Sequence, residues 1–553
     1  MTPAPAAHWQ RARGQRRSAT WLAASWLSLL AALPRVALAH GFDERYDLPV
    51  PLSYFIAGAA AAVVLSFVVA ALFARRAPDA NTDDAAAEPV AEAASAPASE
   101  TGTNETTSTH RGGWITPLRI TCRVIALALF ILAISTALFG TGDPLMNFAP
   151  TFIWIIWWVG LSLFVACVGN VWPVLDPWRT LFDAADALAR RLGLTQGLAR
   201  NWPWPRALGM WPAAILLLTW SWLEVIHPLA SVPFRAGCAA LVWSAITLTG
   251  MLCFGRDTWQ RNGDVFALYF ELLGRMAPFA ASPSPSPSPR GTGIIVRMPG
   301  AALISTGTHG APASAAGTTA FIIAMLSTVL FDGLHGGQTW LLLDKTLKST
   351  VPHWLDANGY VAGTIGLASV WLALFSAYQL TCWVTRLLAG QPAHATSSLQ
   401  NPLAPTVSGQ RSSQPSTPQA SLATLLAPTL IPIAVAYNIA HNFSSLVIQG
   451  QNLLPLLSDP FGVRWNLFGT ANLHANIGLI DARLTWYIAI SAIVIGHVIA
   501  VWLAHRVALR EYLDPKRAAL ASVPLTILMV AYTALSLLAI AEPMVVFEGA
   551  RVE

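Results

Sequence analysis

Charge is what this sequence has least of. Asp, Glu, Lys and Arg make up 11% of its 553 residues, where a soluble domain carries about 25%. That excludes an ordinary soluble enzyme, and a hydrophobic share of 54% with 23 tryptophans points to a polytopic membrane protein. Cysteine is scarce as well. Cys122, Cys167, Cys238, Cys253 and Cys382 lie in or beside apolar runs and form no CxxC pair, which excludes a zinc knuckle and a disulfide framework. The patterns HxH, HExxH, GxSxG and GxxxxGK(S/T) are missing too, so the compact motifs of soluble metallohydrolases, serine hydrolases and P-loop proteins are not available to it. Any metal site has to be assembled from separate helices. The net charge of +5 is accounted for by loop Lys and Arg that orient the chain in a bilayer, and implies no nucleic-acid partner.

What is present reads as an all-α, polytopic helical bundle. Residues 1–39 have the form of a cleavable signal peptide: Arg11, Arg13, Arg16 and Arg17, an apolar core over 21–33, then Ala37-Leu38-Ala39. An outer N-terminal segment and first span follow over 40–75. Then come a polar linker at 76–113, the first part of the bundle at 114–280, and a Ser/Pro-rich inner linker at 281–315. The middle part at 316–390, a second inner linker at 391–420 and the last part at 421–553 complete the order. Apolar runs of about 20 residues near 52–73, 118–139, 151–172, 208–227, 234–254, 316–333, 360–388, 422–447, 484–505 and 521–541 give about ten spans.

Two further segments read as amphipathic helices lying at the inner headgroups. One is the run from Asp176-Pro177, an N-cap and first-turn proline; the other is NGDVFALYFELLGRM at 262–276. With a cleaved signal, the alternate loops that hold Arg75, Arg76, Arg179, Arg190, Arg191, Arg256, Arg261, Arg506, Arg510 and Lys516 fall inside, and the loops between them are poorer in Lys and Arg. That bias places both mature termini outside, in a bacterial-type inner membrane.

The polar residues inside apolar runs are the candidates for chemistry, because lipid offers them no partner. Asn438, His441, Asn442 and Ser445 recur at i, i+3, i+4, i+7 and share one helix face. Glu224 with His227, and Asp332 with His335, are i, i+3 pairs at the outer ends of their spans. His40, at the start of the mature chain, would add an α-amino group beside its imidazole. Six histidines, His40, His227, His335, His353, His441 and His474, thus fall on one side of the membrane from distant parts of the chain. Imidazole and carboxylate suit a divalent metal ion such as zinc or copper. They serve equally well in a proton or ion pathway, and a polar stripe can also do no more than join helices.

In order along the chain, HGFDERYDLPVPL, DPWRTLFD, SWLEVIHP, GDVFALYFELLGRMAPF, LFDGLHG, AYNIAHNFSSLVIQGQ with SDPFGVRWNLFGTA, and IGHVIAVWLAHRVAL resemble membrane-bound proteins described as fenitrothion hydrolases. The resemblance runs from His40 to about Glu542, linkers excepted. It implies hydrolysis of a small apolar organophosphorus triester with release of a nitrophenol, the substrate arriving through the lipid bilayer; no catalytic residues come with it. For that chemistry the residues nominated are His40, His227, His335 and His441 as metal ligands, Glu224 or Asp332 as ligand or general base, and Asn442 to position water or substrate. Against this stands a metal- or proton-coupled transporter, or a membrane subunit with an outer-leaflet copper site; need of a second subunit is left open.

Overall fold

A run of apolar residues in lipid can satisfy its backbone N–H and C=O groups only within itself, so these runs become helices. The computed structural model describes residues 51–73, 115–227, 232–281, 294–305, 316–352, 354–356, 358–392, 421–512 and 514–541. The signal segment 1–39, His40, the linker 76–113 and most of the two inner linkers lie outside those residues. The labelled helices are α1 (Leu52–Phe73), α2 (Ile115–Phe139), α3 (Phe148–Cys167), α4 (Pro177–Arg191), α5 (Trp211–Val225), α6 (Pro233–Phe254), α7 (Val265–Gly274), α8 (Thr318–His335), α9 (Gln338–Thr350), α10 (Val361–Ala389), α11 (Ile431–Gln449), α12 (Ala482–Glu511) and α13 (Pro515–Ala541). The expected all-α polytopic bundle is what forms.

Among the described residues nine helices are long and apolar enough to cross a membrane, against the ten expected. The tenth, read over 208–227, is α5, which has 15 residues and so rises about 22 Å. Pro212 opens it within its first two positions, and its far end is set by His227-Pro228, since the residue before a proline disfavours helical backbone.

Three local features depart from the sequence reading. Helix α7 does not lie at the surface: eight of its ten residues are buried, from Val265 to Gly274, and it packs against α3, α5 and α11 inside the bundle. A helix apolar on nearly every side belongs inside. Helix α4 keeps its one-sided character, burying Trp178 and Phe182 while Arg190 and Arg191 face out. Second, α3 contains a π-helical stretch, Thr151–Gly160, in which the Leu161 amide reaches back to Ile156. Third, part of the stretch read as an inner linker forms a two-stranded antiparallel pair, Phe279–Ala281 with Ile294–Val296.

The centre of the bundle is α8, α11, α12 and α13. Phe321, Ile322 and Ile323 of α8 are fully enclosed. Helices α11 and α12 approach closely at Gly496, where a side chain would meet the Pro432 carbonyl and Ala436, as small residues allow in membrane bundles. A second, aromatic core forms where the π-helix meets α5 and α7. Trp154 and Trp220 lie 4.9 Å apart, and Trp157 and Phe266 4.7 Å apart.

Candidate functional site

Five helices deliver polar side chains to one place. Helix α5 ends with Glu224, on its last turn, and α8 ends with Asp332, on its own last turn. Helix α11 runs past both and presents Tyr437, Asn438, His441 and Asn442. Helix α7, taken inside the bundle, adds Tyr269. The π-helix adds Trp158; π-helical turns recur at functional sites because the extra residue per turn splays side chains out of the usual helical rows.

The central contact joins Asp332 to His441, Oδ2 to Nε2 at 3.0 Å, with side chains 33% and 13% exposed. The carboxylate is therefore partly exposed while the imidazole is mostly enclosed. Tyr437 stacks on the His441 ring, centroids 6.1 Å apart. Asn442 donates from Nδ2 to Asn438 Oδ1 at 3.2 Å, and the Tyr269 hydroxyl faces Asn438 and Ser162. Glu224 faces the Trp158 indole and lies within electrostatic reach of Asp332. Trp158 stacks on Tyr269 at 4.9 Å, which ties the carboxylate side to the asparagine side.

Of the nominated residues the structure thus gathers Glu224, Asp332, His441 and Asn442. It leaves His227 and His335 apart from them. His227 sits between the rings of Trp222 and Tyr360, at 5.6 and 5.4 Å. His335 sits against Phe331 and Trp340, at 5.5 and 5.4 Å. Among the described residues no group of three or more His, Cys, Asp and Glu side chains is set to hold a metal ion. The donor set nominated for zinc or copper therefore does not fit together here: its two best-placed members, Asp332 and His441, are bonded to each other. His40 lies outside the described residues.

Sequence reasoning missed Tyr269, Trp158 and Tyr437. Tyr269 was hidden by placing α7 at the membrane surface; Trp158 had no signal, being one of three tryptophans in TFIWIIWWVG. Tyr437 was legible in principle, as it is at i−4 from His441 on the same face.

Beside this polar group lies a cavity of about 500 Å³ whose lining contains no charged residue. Phe130, Trp157, Trp172, Trp220, Leu223 and Leu446 are among its walls. Leu223 precedes Glu224, Trp157 precedes Trp158, and Leu446 is one turn beyond Asn442, so the apolar chamber and the polar group share three elements. Pockets of this volume and character hold small, mostly apolar molecules oriented by a few polar groups.

No protein-family model, curated protein or solved structure matches this chain.

Proposed function

We propose that this chain is a membrane-embedded hydrolase of uncharged organophosphorus triesters with an aryl leaving group. The observation that supports this best is the Asp332–His441 contact, placed beside an apolar cavity. Asp332 accepts the Nε2–H of His441, which fixes the tautomer and leaves Nδ1 as the basic nitrogen. Nδ1 takes a proton from water as the water oxygen bonds to phosphorus, and the P–O(aryl) bond breaks. The nitrophenolate departs as a weak base and needs no strong general acid. Asn442 has a second amide hydrogen to offer the phosphoryl or thiophosphoryl group, and Glu224 keeps a second carboxylate facing Asp332.

A divalent metal would supply a more acidic water and a polarised phosphoryl group when bound; no step above passes through one. In the same reading the chain sits in a bacterial-type inner membrane with both mature termini outside, and substrate enters the cavity from the bilayer.

The test is nitrophenolate release from fenitrothion by the purified chain in lipid vesicles, with and without a chelator. Wild-type release is expected, with His441→Ala lowering it about 10²- to 10⁴-fold, the usual range for general acid–base groups, and Glu224→Ala, which removes the carboxylate facing Asp332, lowering it less. Equal turnover in both variants would remove the site. Release lost to chelator and restored by one metal would put an ion into the water-activation step, and no release by inserted protein would overturn the single-chain reading in favour of a second subunit.

A further inference from the structure

A second polar feature begins at the candidate site and runs away from it through the bundle. Three buried side-chain atoms on α11 and α12 have no hydrogen-bond partner, Tyr437 Oη, His497 Nε2 and His505 Nε2, and Ser536 Oγ on α13 has only the Tyr532 hydroxyl beside it. Their residues are 0–1% exposed. An unpaired buried polar atom costs about 1–3 kcal/mol, and in native structures it usually marks an ordered water or ion.

The tautomers of both histidines follow from their other nitrogens. His497 Nδ1 lies 2.8 Å from the Ile493 carbonyl, which can only accept, so Nδ1 carries the hydrogen. His505 Nδ1 lies 3.2 Å from Ser522 Oγ, whose own hydrogen goes to the Ala518 carbonyl. In both rings Nε2 is therefore a bare lone pair pointing at nothing. Helix α13 lines the same seam with Ser522, Thr526, Thr533 and Ser536, spaced by four, seven and three residues along one face, all buried. The hydroxyl hydrogens of Ser522, Thr526 and Thr533 go to carbonyls one turn back, which again leaves acceptors.

The seam connects to the site. Tyr437 stacks on His441 and is an electrostatic neighbour of Tyr532. Tyr532 lies 6.2 Å from the His497 ring, centroid to centroid, and its hydroxyl donates to the Leu326 carbonyl at 3.1 Å. His497 and His505 are eight residues apart on α12, roughly 12 Å of rise. That is the length of about four hydrogen-bonded waters in a row. At the far end Ser522 borders a small cleft with Thr385 and Tyr512.

We propose that this seam is a water-filled proton path from the Asp332–His441 pair, through Tyr437, Tyr532 and His497, to His505 at the other end of the bundle. A row of free acceptor lone pairs, with the Tyr437 and Ser536 hydroxyls able to turn between donor and acceptor, is what solvates a migrating excess proton. Each imidazole takes a proton at Nε2 from one water and returns it from Nε2 to the next, its Nδ1–H staying on Ile493 or Ser522. No bond other than O–H and N–H changes.

The experiment is proton flux into vesicles holding the purified chain and an internal pH dye, driven by a potassium diffusion potential. Flux at least about tenfold above protein-free vesicles is expected. Tyr532→Phe, which keeps the ring and loses only the hydroxyl, and His497→Phe should bring it down to the lipid background. Nitrogen-15 resonances of the histidines give an independent reading, with Nε2 of His497 shifted as a water-bonded acceptor. Wild-type flux equal to bare vesicles, or flux unchanged in both variants, overturns the path. Neither result depends on hydrolysis, so the two proposals fail separately.

Discussion

His441 is positioned by two unlike devices, a charge partner on one side and a close-packed backbone on the other. Asp332 holds the ring nitrogen; Gly333, next in the chain, lies directly under Tyr437, whose ring covers the imidazole. A methyl group on Gly333 would stand 2.0 Å from the Tyr437 hydroxyl oxygen and 3.1 Å from the ring carbon that bears it. Gly333→Ala should therefore destabilise the protein by about 1–3 kcal/mol, the usual range for overpacking. The clash is chiefly with the oxygen, so Gly333→Ala with Tyr437→Phe should recover most of that loss. Thermal unfolding in detergent of the four proteins in this cycle measures the coupling; strictly additive losses would mean the contact is not made. The sequence made half of this readable. The i, i+3, i+4, i+7 spacing puts His441 and Asn442 on one face, but it cannot say which distant helix that face meets. Glu224–His227 and Asp332–His335 look alike in sequence, yet in each pair the carboxylate turns to the site and the imidazole to aromatic neighbours.

Helices α4 and α7 are both capped by buried aspartates. Asp176 accepts from the Arg179 amide, and its second oxygen accepts from Gln260 at 2.6 Å. Asp264 accepts from the Phe266 and Ala267 amides. Both caps are almost fully enclosed, at 0% and 2% exposure. Burial, with the charge of Asp264 added, pushes the Asp176 carboxyl up to about 7; burial pushes Asp264 up to about 6. A carboxyl whose folded pKa lies above its unfolded value binds more protons in the folded state. Its contribution is greatest below about 4 and falls as pH rises through about 6 to 7. The melting temperature should accordingly drop between about pH 5 and pH 8, and Asp176→Asn, which keeps a cap oxygen and an uncharged side chain, should flatten that slope. An unchanged slope in Asp176→Asn would show that the cap is not the titrating group. The Asp176-Pro177 start was plain in the sequence because a cap and a first-turn proline are local signals. Helix α7 misled because NGDVFALYFELLGRM has polar flanks, whereas its ten helical residues are apolar on nearly every side; the π-helical stretch left no local mark at all.

At the scale of the molecule, the open question of how many times the chain crosses turns on α5, and its neighbour answers it. Helices α5 and α8 start together: the Met210 amide donates to the Ala316 carbonyl at 2.6 Å, and the Thr318 hydroxyl meets the Met210 sulfur at 3.1 Å. They also finish together, Trp222, Val225 and Ile226 packing against the cluster of Phe331, Trp340 and Leu367 and Glu224 facing Asp332. The two helices are therefore parallel and level along their whole length. Since α8 is long and apolar enough to span, α5 spans wherever α8 does, its shorter length made up by turns enclosed in protein, where irregular backbone is tolerated. Nine long helices and one short one among the described residues then make ten crossings, an even number, which returns residue 541 to the side where residue 51 began. A reporter fused after Glu553 that is active only outside the inner membrane should match one fused after Pro51 in a truncated chain. Opposite readings from the two fusions would mean an odd count, and the first helix to remove from it would be α5. The hydropathy of the sequence reads a span here because the apolar run extends past both ends of the 15-residue helix into the turns at 208–210 and 226–227.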